Sequence, residues 1–174
     1  MADKIKAVIF DVGNVVSIPK YSKFYQQIIY YLRDILSRFT DRKGRLQKYI
    51  KAYGMTHKID EGVLKIIKAL KSAGYMTPAL SNATIEKLRA YEALELDKHL
   101  HPLLVSAELG FEKPDAKVFE IAAQKIGVKP SECIFIDDKE QNVEGAVSAG
   151  YKGIVFKNAE HLKEELKACG VRIE

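Results

Sequence analysis

The chain has 174 residues, 47% of them hydrophobic, a size and balance that fit one globular domain burying about 70% of the surface its unfolded form exposes. No apolar run approaches the roughly 20 residues that cross a bilayer, and the opening MADKIKAVIFDV lacks a small-residue cleavage site, so neither a membrane span nor a secretory signal is expected. Two cysteines, Cys133 and Cys169, are too few for a disulfide framework and lack metal-ligand spacing; with a net charge of +5, the expectation is a cytoplasmic protein with free thiols.

Lys6 to Phe10 (KAVIF) is predicted as a short strand that stops at Asp11, within the stretch AVIFDVGNVV. Composition then changes. Between Ile18 and Ile59 stand ten Lys/Arg against two Asp, a local +8 that leaves −3 elsewhere, together with six of the nine tyrosines. Phe24, Ile28, Tyr31, Leu32, Ile35, Leu36 and Phe39 make an amphipathic stripe over 21–39. Asp41 is placed to cap a second helix, with Leu46, Tyr49, Ile50 and Tyr53 facing inward and Gly54 ending it. The expectation is a small helical cap at 18–59, inserted into a core made of 1–17 and 60–174 and lying over the sheet edge where the aspartates gather.

Beyond the insertion, elements alternate. Glu61 to Ala73 carries Val63, Ile66, Ile67 and Leu70 at helical spacing, with Gly74 closing it. Tyr75 to Leu80 is a second strand ending at Ser81 and Asn82, with Pro78 an awkward member because it has no donor. Helices are expected over 84–94, 114–126, 140–149 and 159–168, and strands over 103–106, 133–136 and 153–156. Continuous apolar strands alternating with helices describe an α/β fold, a Rossmann-like doubly wound parallel sheet covered on both faces. Ligands bind such sheets at the carboxyl ends of the strands, where Asp11, Ser81 and Asp137 all fall.

Strand ends and loops thus supply Asp11 with Gly13 and Asn14, Ser81 with Asn82, Lys113, and Asp137 and Asp138 with Asn142. Each alone has a plainer reading: a turn-capping aspartate, a helix-capping serine, a surface lysine. The adjacent Asp137 and Asp138 are harder to dismiss, since they repel each other unless a cation or water compensates. Carboxylates from two strand ends can share one hard cation such as Mg²⁺. A lysine and a hydroxyl suit the oxygens of a phosphoryl group, and a carboxylate beside it can act as nucleophile. The residues together describe a Mg²⁺-dependent phosphoryl-transfer site.

At these residues the chain resembles the haloacid dehalogenase superfamily. FDVGNVV is similar to that family's first motif, LSNAT to its second, GFEKPDAKVFEIA to its third and FIDDKEQNVEGAVSAG to its fourth, in the family's order. The resemblance implies Asp11 as nucleophile of a phosphoaspartyl intermediate, with Ser81 and Lys113 binding the transferring phosphoryl and Lys113 balancing Asp11. It implies Asp138 as the principal acidic Mg²⁺ ligand of the fourth motif, Asp137 beside it directly or through water, and the main-chain carbonyl of Gly13 as a further ligand. Asn82 would bond substrate or intermediate, and Asn142 would orient its loop; Asn14 is a further substrate-binding candidate. The segment from Val15 to Lys20 would match the family's hinge, and the basic hairpin its cap.

One departure matters. Most phosphatases of this family carry an aspartate two residues after the nucleophile, as the acid that protonates the leaving group; here it is Gly13. The leading expectation is a phosphatase acting on a small phosphorylated metabolite, with a sugar phosphate as one candidate. The alternatives are a dehalogenase, which needs no metal, and a catalytically weak member that binds a phosphorylated ligand or RNA through its basic cap.

Overall fold

The computed structural model describes residues 4–22, 25–29, 31 and 42–173. Strand β1 (Ala7–Phe10) is buried along its whole length. The β2 strand (Ser17–Pro19) pairs antiparallel with β3 (His57–Ile59) as a separate two-stranded ribbon. Strands β4 (Ala79–Ser81), β5 (Leu103–Val105), β6 (Cys133–Asp137) and β7 (Lys152–Val155) join β1 in one parallel sheet of order β5-β4-β1-β6-β7. The chain builds to one side of β1 through β4 and β5, then returns to the other side for β6. The crevice at such a reversal is where parallel sheets bind ligands, and here it is flanked by Asp11 and Asp137.

Pro78 does not break the sheet. Its carbonyl accepts from Phe10 N–H at 3.0 Å, and Ala79 N–H bonds Pro102 O at 2.9 Å. The ring removes one donor and keeps the acceptor, so the strand is regular only from Ala79 onward.

Helix α1 (Arg42–Thr56) lies between β2 and β3, in the segment 18–59 that the sequence sets apart. Further helices among the described residues are α2 (Glu61–Ser72), α3 (Ile85–Ala93), the single turn α4 (Ser106–Leu109), α5 (Ala116–Ile126), α6 (Glu140–Ser148) and α7 (Ala159–Ala168). Capping follows the sequence: Asp60, Thr84, Asp115 and Asn158 each accept a hydrogen bond from a first-turn N–H. Successive β1 side chains point to opposite faces. Val8 and Phe10 pack with Val63, Ile67 and Leu70 of α2 and Leu162 and Leu166 of α7. Ala7 and Ile9 pack with Val118, Phe119 and Ala122 of α5 and Ala146 of α6. Each fully buried large side chain contributes about 1.5–3 kcal/mol.

The inserted segment departs from expectation in two ways. Helix α1 runs through Gly54 to Thr56, because an interior glycine costs only about 1 kcal/mol relative to alanine. Thr56 Oγ1 then donates to Ala52 O at 2.8 Å, and the chain turns directly into β3. The β2–β3 ribbon is the second difference, a pairing that the sequence pattern does not announce. Residues 25–29 and 31 are helical, yet Ile28 and Tyr31 of the expected inward stripe are exposed; Phe24, Leu32, Ile35, Leu36 and Phe39 lie outside the described residues. In α1, Tyr53 is buried, and Tyr49 and Ile50 pack against the core as the spacing predicts.

Candidate active site

The sheet delivers three side chains to one edge. Asp11 follows β1, with its N–H on Ile136 O at 2.8 Å; Ser81 ends β4, and Asp137 ends β6. All nine residues singled out from the sequence line one cavity of about 140 Å³.

Lys113 is its buried centre. Its Nζ donates to Asp11 Oδ1 at 2.6 Å, to Asp137 Oδ2 at 2.7 Å and to Leu80 O at 2.9 Å, which uses all three hydrogens of the ammonium. Asp137 also accepts from Asn142 Nδ2 at 3.0 Å and from Lys139 N–H at 2.9 Å. Asp138 accepts from Asn14 Nδ2 at 3.0 Å. Asn14 reaches it from a left-handed backbone, φ +58°, which asparagine tolerates better than most residues. Burial raises the pKa of Asp11 above the ordinary carboxylate value; Lys113 pulls it down, while Asp137 and Asp138 push it further up.

Asn82 is engaged with the protein itself. Its Nδ2 donates to Lys113 O at 2.8 Å, and its Oδ1 accepts from Lys113 N–H at 2.8 Å. This two-point clasp ties the loop after β4 to the loop before α5. Ser81 Oγ lies 3.2 Å from Tyr91 Oη, a fully buried phenol. Tyr53 of α1 meets the Tyr91 ring edge-on at 5.8 Å and bonds Ser17 Oγ at 3.0 Å. A contact therefore runs from the insertion to the hydroxyl at the end of β4.

Gly13 has no positive φ, and a Cβ built on it would meet only Asp11 Oδ2, at an ordinary 3.7 Å. Glycine is not demanded there by backbone or space. Two further residues line the cavity, Lys87 and Lys139. Lys139 had a signal, adjacency to Asp138. Lys87 had only its place in the first turn of the helix after Ser81.

Asp11, Asp137 and Asp138 offer carboxylate oxygens that lie within 4.8 Å of one another. Three carboxylates against one bonded ammonium, all oxygen donors, suit a hard divalent cation. Asp137 is the most fully hydrogen-bonded of the three, which leaves Asp11 and Asp138 as the more available direct ligands.

Among known proteins, the family model for haloacid dehalogenase-like hydrolases matches residues 34–150. The (S)-2-haloacid dehalogenase 4A of Burkholderia cepacia is 31% identical over 115 residues, covering 66% of this chain and 49% of that protein. The glyceraldehyde 3-phosphate phosphatase of Pyrococcus furiosus is 31% identical over 108 residues, covering 61% of this chain and 45% of that protein. The chain thus spans about half the length of these curated relatives. A HAD-family enzyme from Bacteroides thetaiotaomicron, solved with magnesium and inorganic phosphate, superposes with a TM-score of 0.69 at 18% identity over 91% of this chain and 98% of that one. At that identity the likeness is one of fold.

Proposed function

Because the chain belongs to the haloacid dehalogenase-like hydrolases, we propose that it is a Mg²⁺-dependent phosphatase acting on a small phosphate monoester through an aspartyl-phosphate intermediate. The observation that carries this reading is the bonding of Lys113 to both Asp11 and Asp137, with Asp138 completing a three-carboxylate cluster. A dehalogenase has no use for a divalent-cation site; a phosphatase does.

Asp11, Asp138 and the Gly13 carbonyl would hold the metal, with Asp137 beside them directly or through water. Bound there, Mg²⁺ would supply positive charge to the phosphoryl oxygens. Lys113 holds the Asp11 carboxylate oriented and counters its charge. Asp11 attacks phosphorus, the ester P–O bond breaks and a phosphoaspartate forms; water then attacks phosphorus and releases inorganic phosphate. Ser81 donates to a phosphoryl oxygen while accepting from Tyr91. Asn14 and Asn142 hold Asp138 and Asp137, and the Asn82 clasp fixes the Lys113 loop against Ser81. The segment 18–59 would serve as a cap, and its ten Lys/Arg against two Asp would favour anionic substrates.

The test is hydrolysis of 4-nitrophenyl phosphate by wild type and Asp11→Asn, each with Mg²⁺ and with chelator. Metal-dependent turnover is expected, falling by ~10⁴-fold or more in the variant. Halide release from a 2-haloacid that survives chelation would replace the reading with dehalogenation.

A further inference from the structure

In-line phosphoryl transfer places the leaving oxygen on the far side of phosphorus from the nucleophile. Here the nucleophile position is on the cavity floor: the Lys113 side chain that bonds Asp11 is 1% exposed. The leaving oxygen therefore faces the rim. Gly13 contributes no side chain to the Asp11 Oδ2 side, so position 13 has no acid to meet that oxygen. Two cations stand further out. Lys139 is exposed, with its N–H committed to Asp137. Lys87 is half-buried, and its Nζ lies 5.7 Å over the Tyr91 ring. That is within reach of a cation–π contact, and Tyr91 is the residue that bonds Ser81. The carboxylate that acts on the charge of Lys87 is that of Asp11. Lys87 thus lines the same cavity as Asp11 and Ser81, on the side of the Tyr91 ring.

We propose that Lys87 is the catalytic residue on the leaving-group side, donating to the bridging ester oxygen in place of the acid that Gly13 lacks. The proposal rests on the phosphatase reading above. As Asp11 forms its bond to phosphorus, the bridging oxygen departs with the bonding pair and takes a proton from the Lys87 ammonium. The neutral amine recovers a proton from the water that hydrolyses the phosphoaspartate. Burial lowers the pKa of Lys87, with Asp11 opposing and Lys113 and Lys139 adding to the fall, a direction that eases proton release. The other group nearby is His57 on β3, stacked on Tyr53 with ring centroids 4.0 Å apart. Its Nδ1 is tied to Thr56 Oγ1 at 2.8 Å, and burial lowers its pKa.

The experiment compares kcat/KM for 4-nitrophenyl phosphate and phenyl phosphate, matched in shape but unequal in leaving-group acidity. Lys87→Gln is expected to raise the ratio of the two at least tenfold, the phenyl ester suffering more. Lys87→Arg keeps the positive charge but releases no proton, so it is expected to raise the ratio as Lys87→Gln does, and a ratio left near wild type would overturn proton donation; unfolding is checked by circular dichroism. An equal loss on both esters would make Lys87 a phosphoryl binder and overturn the proposal; so would an unchanged ratio, or a selective loss in His57→Gln alone. Wild type without metal-dependent turnover would remove the phosphatase reading, and this role with it. Turnover by wild type with no selective loss would remove only the role of Lys87.

Discussion

At Gly13 neither the backbone nor its neighbours require glycine, since a Cβ would sit in ordinary contact with Asp11 Oδ2. A carboxyl can therefore be installed. In the Lys87→Gln background, Gly13→Asp is expected to restore kcat/KM for phenyl phosphate by at least ~10-fold, against the ~10²–10⁴ a positioned acid supplies. The same change in wild type should gain less, because Lys87 already serves that oxygen. A restoration no larger in the double variant than in wild type would show that the two residues do not share a task. Single residues differ in how plainly the sequence displays them. Asp11, Ser81 and Asp137 are legible because each ends a buried apolar run, and a polar side chain at that depth is costly unless it has a partner or a task. Lys87 is not, since a lysine on a helix reads as solvated surface until it is found lining the cavity. Asn82 is legible as a site residue, but its clasp on the Lys113 backbone depends on a contact between positions 31 residues apart, which no local pattern carries.

Elements meet at the site through close backbone approaches. A Cβ on Gly145 of α6 would overlap the Pro114 carbonyl oxygen and stand 2.9 Å from Pro114 Cβ, so the α6 helix presses on the loop that carries Lys113. Gly145→Ala is expected to destabilise the protein by about 1–3 kcal/mol and to lower kcat more than KM, as Lys113 is displaced from Asp11. Gly54→Ala in α1 is the counterpart: nothing lies within 4 Å of the added Cβ, and stability should rise by up to about 1 kcal/mol. Urea titration with parallel kinetics reads both; Gly145→Ala with wild-type stability and turnover would contradict the packing account. Helices are legible in the sequence wherever apolar spacing and a closing glycine agree, as in α2, with Val63, Ile66, Ile67 and Leu70 buried and Gly74 after its end. The β2–β3 ribbon is not, because three-residue strands show no period and their pairing spans the insertion. Gly54 misleads for a related reason: its cost is smaller than what the helix gains by continuing to Thr56.

For the whole molecule, burying Asp11 stores strain that shows when chelator withholds divalent cations. The pKa of Asp11 is raised, mainly by burial, so its charged form is disfavoured in the folded state. A raised folded pKa contributes stability that is complete below the unfolded value and lost as pH rises through the folded one. In chelator, wild type should therefore lose thermal stability relative to Asp11→Asn as pH rises from the acid range towards neutrality. The gap should widen by about 2–4 °C for each kcal/mol involved. Paired melting curves from about pH 4.5 to 7.5 follow this; a gap independent of pH would mean that Lys113 fully offsets the burial. The parallel sheet and its site edge are legible at this scale from the alternation of elements alone. The posture of the insertion is not, because a basic, tyrosine-rich helix can pack, bind or stay solvated with the same composition.

The ribbon that joins insertion to core sets Pro19 beside His57, Ile18 beside Lys58 and Ser17 beside Ile59. The chain therefore passes out through β2 and back through β3 at one paired doorway. An Asn-Gly turn of the kind that closes two-residue hairpins would close that doorway in place of residues 20–56, and it would take Tyr53 away from Tyr91 and Ser17. Doubling the length of the insert would add only about 0.6 kcal/mol of closure entropy. A grafted segment would have to bring its own neighbour for Tyr91, the phenol that bonds Ser81.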